Sequence, residues 1–493
     1  MGEEADGTGG QSDRTARGLG LVLGVAAFVT LLLLPLPGEL SFDARVILAL
    51  LALMACWWVF EAIPIPITSL SPLVVLPLFG VTSMGEASAP YFSPIIVLLL
   101  GGFIVARSVE RWNLHERLAL LTVSRAGAGA RGMIAGFLCA SALLSAWISN
   151  TATTIMLMPV ALSVAASLGA RRGASDPLSV GLILAVAYGA SIGGLATPIG
   201  TPTNLIVLGG LEAAGHGHIG FPAWMAFGVP TVALLLGAAY LVLSRLRGVQ
   251  HAAHGGEARA LVRERLAALG AWSVPERRTL IVLGVLAFFW IARGVLQSVE
   301  IGGVAPLAGL SDAGIAVAGA IAVFLVPSGS MKERGTALLD WEGAVRLPWG
   351  VVLLFGGGLS LASAVTATGL GAAMASGFVG LGSLPAVLVI LVLTTFVIFA
   401  TELTSNVATA AALTPVIVAM AAGAGLVAEE IAMPVALAAT CAFMFPMATA
   451  PNAIAYATGE LSIARMARIG LRLNLIGILI ITAVARFLVP AVT

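Results

Sequence analysis

The chain has 493 residues, 59% of them hydrophobic and only 10% charged, with 25 Lys and Arg against 24 Asp and Glu. A soluble protein is about a quarter charged, so this chain lacks the polar side chains to cover a water-facing surface and must bury most of its length in lipid. The net charge of +1 comes with no basic domain that would bind nucleic acid.

In chain order, residues 1–17 carry Glu3, Glu4, Asp6 and several glycines and read as a short disordered tail. A membrane-crossing helix needs roughly 20 apolar residues. Such stretches are expected at 18–36, 45–61, 64–82, 93–110, 177–197, 222–246, 279–296, 312–328, 348–367, 432–448 and 470–491. The first is long for a signal-peptide core and lacks a small-residue cleavage site, so it reads as a span. Two further apolar stretches, 132–168 and 385–424, are too long for one helix, and a polar cluster interrupts each near its middle. Each reads as a re-entrant hairpin, whose irregular turn is tolerated at membrane depth only when it lines a cavity or is buried in protein. The segment 257–267 alternates charged and apolar residues and reads as a surface or interfacial helix. The fold expected is therefore an all-α polytopic membrane protein with about eleven transmembrane helices and two hairpins.

The arginines fix an orientation. Arg107, Arg111, Arg117, Arg125, Arg131, Arg171, Arg172, Arg245, Arg247, Arg277, Arg278, Arg346 and Arg465 fall in segments on one side, together with Lys332, the single lysine. The loops expected opposite, 83–92, 212–221, 297–311, 368–384 and 425–431, hold no Lys or Arg. Positive charge collects on the cytoplasmic side of membrane proteins. This predicts a multi-pass protein of the cell's plasma (inner) membrane with a cytoplasmic N-terminus and an outer C-terminus, provided both hairpins return to their side of origin.

The two halves repeat. SAWISNTATTIMLMPV at 145–160 matches TELTSNVATAAALTPV at 401–416 with an offset of 406 − 150 = 256. GTPTN at 200–204 matches ATAPN at 448–452 with an offset of 452 − 204 = 248. The opposite orientations that the arginines give the two copies make an inverted repeat, the plan of many secondary transporters.

Both Ser-Asn tips and both breaks offer hydroxyl, amide and freed carbonyl oxygens, which suit a hard cation. The amides at the start of each returning helix suit an anion. No Lys or Arg occurs at 132–170, 173–244 or 347–464. A dianion bound there would have no basic side chain to offset its burial, a physical reason for cotransported cations. Asn150 and Asn406 could alternatively serve as interhelical glue, and Ser145 and Thr401 could bond back to their own helices; recurrence of the spacing in both halves favours function. Glu61 and Glu402 read as structural carboxylates, with tuning of the second cation site or proton carriage as the alternative for Glu402. The loop GxxxxGK[ST] is absent, which argues against ATP-driven pumping. The five histidines show no metal-ligand spacing, with His216-Gly-His218 read as a solvated turn, and Cys56, Cys139 and Cys441 read as buried inert thiols.

With SNT at 149–151, SNV at 405–407, GTPTN, ATAPN and EAIPIPITSLSPLVVLPLFGV at 61–81, the sequence resembles the divalent anion/sodium symporter family from about residue 18 onward. The resemblance implies a homodimer that works as an elevator. Its scaffold would comprise 18–131 and 279–384, its moving transport part 132–247 and 385–493, with 248–278 a cytoplasmic linker. It also implies two sodium sites. The first would use Ser145, Ser149, Asn150 and backbone near Gly200, and the second Thr401, Ser405, Asn406 and backbone near Ala448. Substrate carboxylates would meet Asn150, Thr151 and Asn406 with Thr201 and Thr449 nearby, while Val407 and Ala450 border the pocket. Val407 stands where the fullest motif has Thr, which blurs the substrate choice.

These readings converge on sodium-coupled transport of a small divalent anion, with the C4-dicarboxylates succinate, malate and fumarate first. Sulfate or citrate symport and dicarboxylate exchange are the rivals within the class, and an anion channel is the rival outside it. No nucleophile–base pair or metal cluster suggests an enzyme.

Overall fold

The computed structural model describes residues 7–33, 40–170, 176–246 and 255–491. Residues 1–6 of the expected tail, together with Arg171, Arg172, Arg247, His251 and His254, lie outside the described residues. Helices joined by turns and loops make up the described chain, with isolated bridges between Ile301 and Val304 and between Pro327 and Ala337. Among the described residues eight helices are long and apolar enough to cross a membrane, and several shorter apolar helices accompany them.

Three expectations need correction. The first helix spans Gly7–Leu33, so residues 7–17 continue it and do not form a separate tail. The stretch 64–82 is two short helices, Ile65–Thr68 and Ser71–Leu78, because Pro64, Pro66, Pro72 and Pro77 remove backbone donors within it. Among the three thiols only Cys441 is buried; Cys56 is partly covered and Cys139 is exposed on a helix face.

Hairpin 1 consists of Ala130–Ser145 and Asn150–Ser167, and hairpin 2 of Ala386–Thr401 and Asn406–Ala424. A broken span follows each: Pro177–Gly193 then Pro202–Ala213 after hairpin 1, and Ala428–Thr440 then Ala450–Ala457 after hairpin 2. Both arms of each hairpin pack on the first half of its own broken span. The second halves are exchanged. Pro202–Ala213 packs on Asn406–Ala424 and Ala428–Thr440, while Ala450–Ala457 packs on Asn150–Ser167 and Pro177–Gly193. This reciprocity brings both tips and both breaks to one place.

Around them lie Phe42–Val59, Pro94–Arg111, Val274–Gln297, Asp312–Leu325 and Trp349–Ala367. Pro94–Arg111 packs closely on Asp312–Leu325, since a Cβ at Gly101 would fall 2.6 Å from the Ala316 backbone. Gly357, its partner at offset 256, has the same closeness to the Ser69 backbone, 2.2 Å. Only glycine permits such approaches.

Candidate functional site

The two unwound segments, 194–201 and 441–449, each begin several residues before the GTPTN and ATAPN motifs. One asparagine in each half sustains them. The Asn204 amide donates to the carbonyls of Gly194 (3.0 Å) and Thr197 (2.9 Å). The Asn452 amide donates to those of Ala442 (2.9 Å) and Phe445 (3.0 Å). Buried carbonyls freed from a helix need such donors. Both asparagines are fully buried, and neither Oδ1 has a hydrogen-bond partner.

The tips are built alike. The Ser145 hydroxyl donates to Asn150 Oδ1 across the first turn. The Thr401 hydroxyl lies 2.7 Å from Asn406 Oδ1 and 2.9 Å from the Ala439 carbonyl. Thr197 ties the first tip to its break by donating to the Ala146 carbonyl at 2.6 Å. A Cβ on Gly194 would fall 3.0 Å from Asn150 Oδ1 and 3.1 Å from the Gly200 carbonyl, so these two oxygens border one small space that a side chain would fill.

Between the tips lies a cavity of about 340 Å³, within the usual range of roughly 300–1,000 Å³ for small-molecule sites. Asn150, Pro202, Asn406 and Ala450, the first residues of four helices, all line it. Each helix start carries the positive end of a dipole and first-turn amides that lack an intrahelical partner, although Pro202 and Pro451 supply none, so four such ends open on one space. Ser149, Thr151, Gly200, Thr201, Ser405, Val407, Ala448 and Thr449 complete the part expected from sequence. Ser145 and Thr401 do not line the cavity; both are buried behind it and reach it through the asparagines they bond.

Sequence reasoning missed the opposite wall, formed by Gly102, Phe103 and Ala106 with Pro348 and Val351, and the tip residues Trp147 and Ile148. These are small or apolar residues on helix faces or at helix ends and turns, and no motif distinguishes them from packing. A neighbouring cavity of about 310 Å³ shares Phe103, Ala106, Ser149, Thr151 and Pro348 and adds Arg107, Glu110 and Arg346, leading toward arginine-bearing segments. Another of about 520 Å³ joins Arg17 and Glu61 to Ser405, Ala448, Thr449 and Ala450. Glu61 is thus an exposed wall residue held at φ 45°, not a packed structural carboxylate.

His218 also departs from expectation. It is no free solvated turn residue: its ring bonds Glu212 on one side and lies 3.4 Å from Asp312 Oδ2 and from the Arg293 guanidinium on the other. His216 lies 3.7 Å from Glu429. The Asp312 and Glu212 carboxylates push His218 up to about 9. Among the described residues no group of three or more His, Cys, Asp or Glu is placed to hold a metal ion.

Comparison with known proteins agrees with this architecture. The family described as "Sodium:sulfate symporter transmembrane region" matches residues 15–490. The sodium-dependent dicarboxylate transporter SdcS of Staphylococcus saprophyticus is 38% identical over 96% of this chain and 92% of that protein. SdcS of Staphylococcus aureus strain MRSA252 is 36% identical over 97% and 92%. Among solved structures, the Alcanivorax borkumensis YdaH transporter aligns with a TM-score of 0.61 at 17% identity, covering 83% of this chain and 89% of its own. Neisseria gonorrhoeae MtrF gives 0.60 at 16%, covering 96% and 94%. At those identities the two structures share the fold alone.

Proposed function

The chain belongs to the sodium:sulfate symporter family, and we propose that it carries a C4-dicarboxylate, succinate, malate or fumarate, together with sodium ions. The observation that supports this most is the convergence of four helix starts on one cavity. Their amides and dipole ends attract an anion without a basic side chain. The name of the SdcS relatives points to dicarboxylates as the anion.

Two sodium ions would sit behind the tips. The first would take oxygens from Ser145, Ser149, Asn150 and the Gly200 backbone; the second would take them from Thr401, Ser405, Asn406 and the Ala448 backbone. Hydroxyl, carboxamide and carbonyl oxygens suit sodium, a hard cation, and the ions' charge would offset that of the dianion in a site without a basic side chain. Asn150, Thr151 and Asn406 would meet the carboxylates, Thr201 and Thr449 would lie beside them, and Val407 and Ala450 would shape the edge.

The protein would cross the plasma membrane about eleven times and work as a homodimer, with its N-terminus in the cytoplasm. The hairpins and broken spans, 132–247 and 385–493, would move as one body against 18–131 and 279–384. Exchange of second halves between the two repeats supports a single moving body, because each repeat completes the other's cradle.

Uptake by proteoliposomes tests the proposal. Labelled succinate and labelled sulfate are offered under sodium, lithium or choline gradients to the wild type and to Asn150→Ala. Saturable succinate uptake that requires sodium and is lost in Asn150→Ala is the expected result. Uptake equal in choline, with no proton dependence, overturns the coupling; preference for sulfate overturns the substrate.

A further inference from the structure

One feature breaks the symmetry between the tips. Glu402, 1% exposed, lies in the turn of hairpin 2. Its carboxylate accepts from the backbone amides of Phe443 (2.7 Å), Met444 (2.9 Å) and Phe445 (3.1 Å) and from the Asn474 side-chain amide (2.7 Å). The matching residue in the first half, at 402 − 256 = 146, is Ala146. The matching backbone, from 443 − 248 = 195 to 445 − 248 = 197, is fastened there by the neutral bond from Thr197 to the Ala146 carbonyl.

Every partner of Glu402 is a donor, and every one is uncharged. Four donors suit the ionised carboxylate and leave no acceptor for a carboxyl proton among those partners. They satisfy its lone pairs but do not cancel its charge, and a buried charge without a counter-ion is costly. No ion pair among the described residues includes Glu402, and the sequence has no Lys or Arg at 347–464. The segments that the carboxylate joins are those that would form the second cation site. Thr401, whose hydroxyl bonds Asn406, precedes Glu402, and Ala448 follows Phe445 by three residues.

We propose that Glu402 is the fixed counter-charge of the second cation site, making hairpin 2 bind its sodium more tightly than hairpin 1. The inference rests on the paired-sodium reading given above. Glu402 is a positioning residue: it touches neither the cavity nor the transported anion, and it acts through the field it places behind the tip.

The test is sodium-dependent thermal stabilisation of the purified full chain without substrate, with choline chloride holding ionic strength constant. The wild type should be stabilised by sodium. Glu402→Gln, which keeps the shape and removes the charge, should shift the sodium midpoint upward about tenfold or more. Asn474→Ala removes one donor but keeps the charge, so it should lower the melting temperature with a midpoint within about threefold of wild type. Should Glu402→Gln not fold, Glu402→Asp and Glu402→Asn put the same question at shorter reach, and only the Asp variant should keep the wild-type midpoint. A wild-type midpoint in the uncharged variants, with a lower melting temperature in all salts, makes Glu402 a mechanical fastener and overturns the inference while the sodium sites stand. A wild type that melts identically in sodium and choline overturns both.

Discussion

Asn204 and Asn452 do one job twice: each uses a single side-chain nitrogen to hold two carbonyls of an unwound segment, and the partners too are related by 442 − 194 = 248 and 445 − 197 = 248. The chain's internal symmetry therefore extends from motif spacing down to individual hydrogen bonds. Thr197 and Phe445 also accept from the backbone amides of Gly200 and Ala448, so removing either side-chain amide leaves one buried carbonyl, that of Gly194 or Ala442, without its donor, at about 1–3 kcal/mol. Asn204→Ala and Asn452→Ala should each lower the melting temperature by several degrees and cut sodium-driven uptake more than tenfold. Replacement by Asp, which cannot donate, should do the same. Thermal melting and proteoliposome uptake check both effects.

Thr401 and Ser145 stand behind the tips, where a hydroxyl fixes the orientation of the asparagine oxygen. Thr401→Ser keeps the hydroxyl and should keep the sodium midpoint of uptake within about twofold. Thr401→Val keeps the volume without the hydroxyl and should raise that midpoint about tenfold, equal to about 1.4 kcal/mol. A sodium titration of initial uptake rates separates the two.

Much of this arrangement was readable from the sequence because it is written in polar residues set into apolar stretches. Ser149-Asn150 and Ser405-Asn406 are conspicuous there, and their recurrence at one offset exposes the duplication. The cavity's other wall was not readable, since Phe103, Ala106 and Val351 have the composition of any buried helix face. The split of 64–82 was missed because hydropathy averages over its prolines. The roles of His218 and Glu402 depend on partners up to 94 positions away, Asp312 and Asn474 among them, and no local pattern encodes those.

Val407 places an isopropyl group on the cavity wall at the position where the other half has Thr151. Val407→Thr adds a donor of nearly equal volume. It should improve competition by sulfate against labelled succinate, by about tenfold or less, with little change in sodium dependence. Competition curves for the two anions decide this.

His218 links Glu212 to Asp312 and Arg293, and Asp312 also accepts from the Phe221 backbone amide, so the cluster joins two segments that the proposed motion would separate. Its folded value of about 9 lies above the ordinary value near 6.5. The link therefore contributes its full stability below about pH 6.5 and loses it as pH rises through about 9. Between pH 7 and pH 10 the wild type should lose melting temperature, and His218→Gln should lose less over the same range. Equal slopes for the two proteins would remove His218 from the link.

The exchanged half-helices have a consequence for how the polypeptide can be divided. Pro202–Ala213 finds its seat on the later half of the chain, and Ala450–Ala457 finds its seat on the earlier half. A fragment ending near residue 246, produced alone, would have a helix with nowhere to dock and only two of the four amide-bearing ends. The same holds for a fragment starting near 255. Supplied together as separate polypeptides, the fragments should assemble and recover substrate binding that neither possesses by itself.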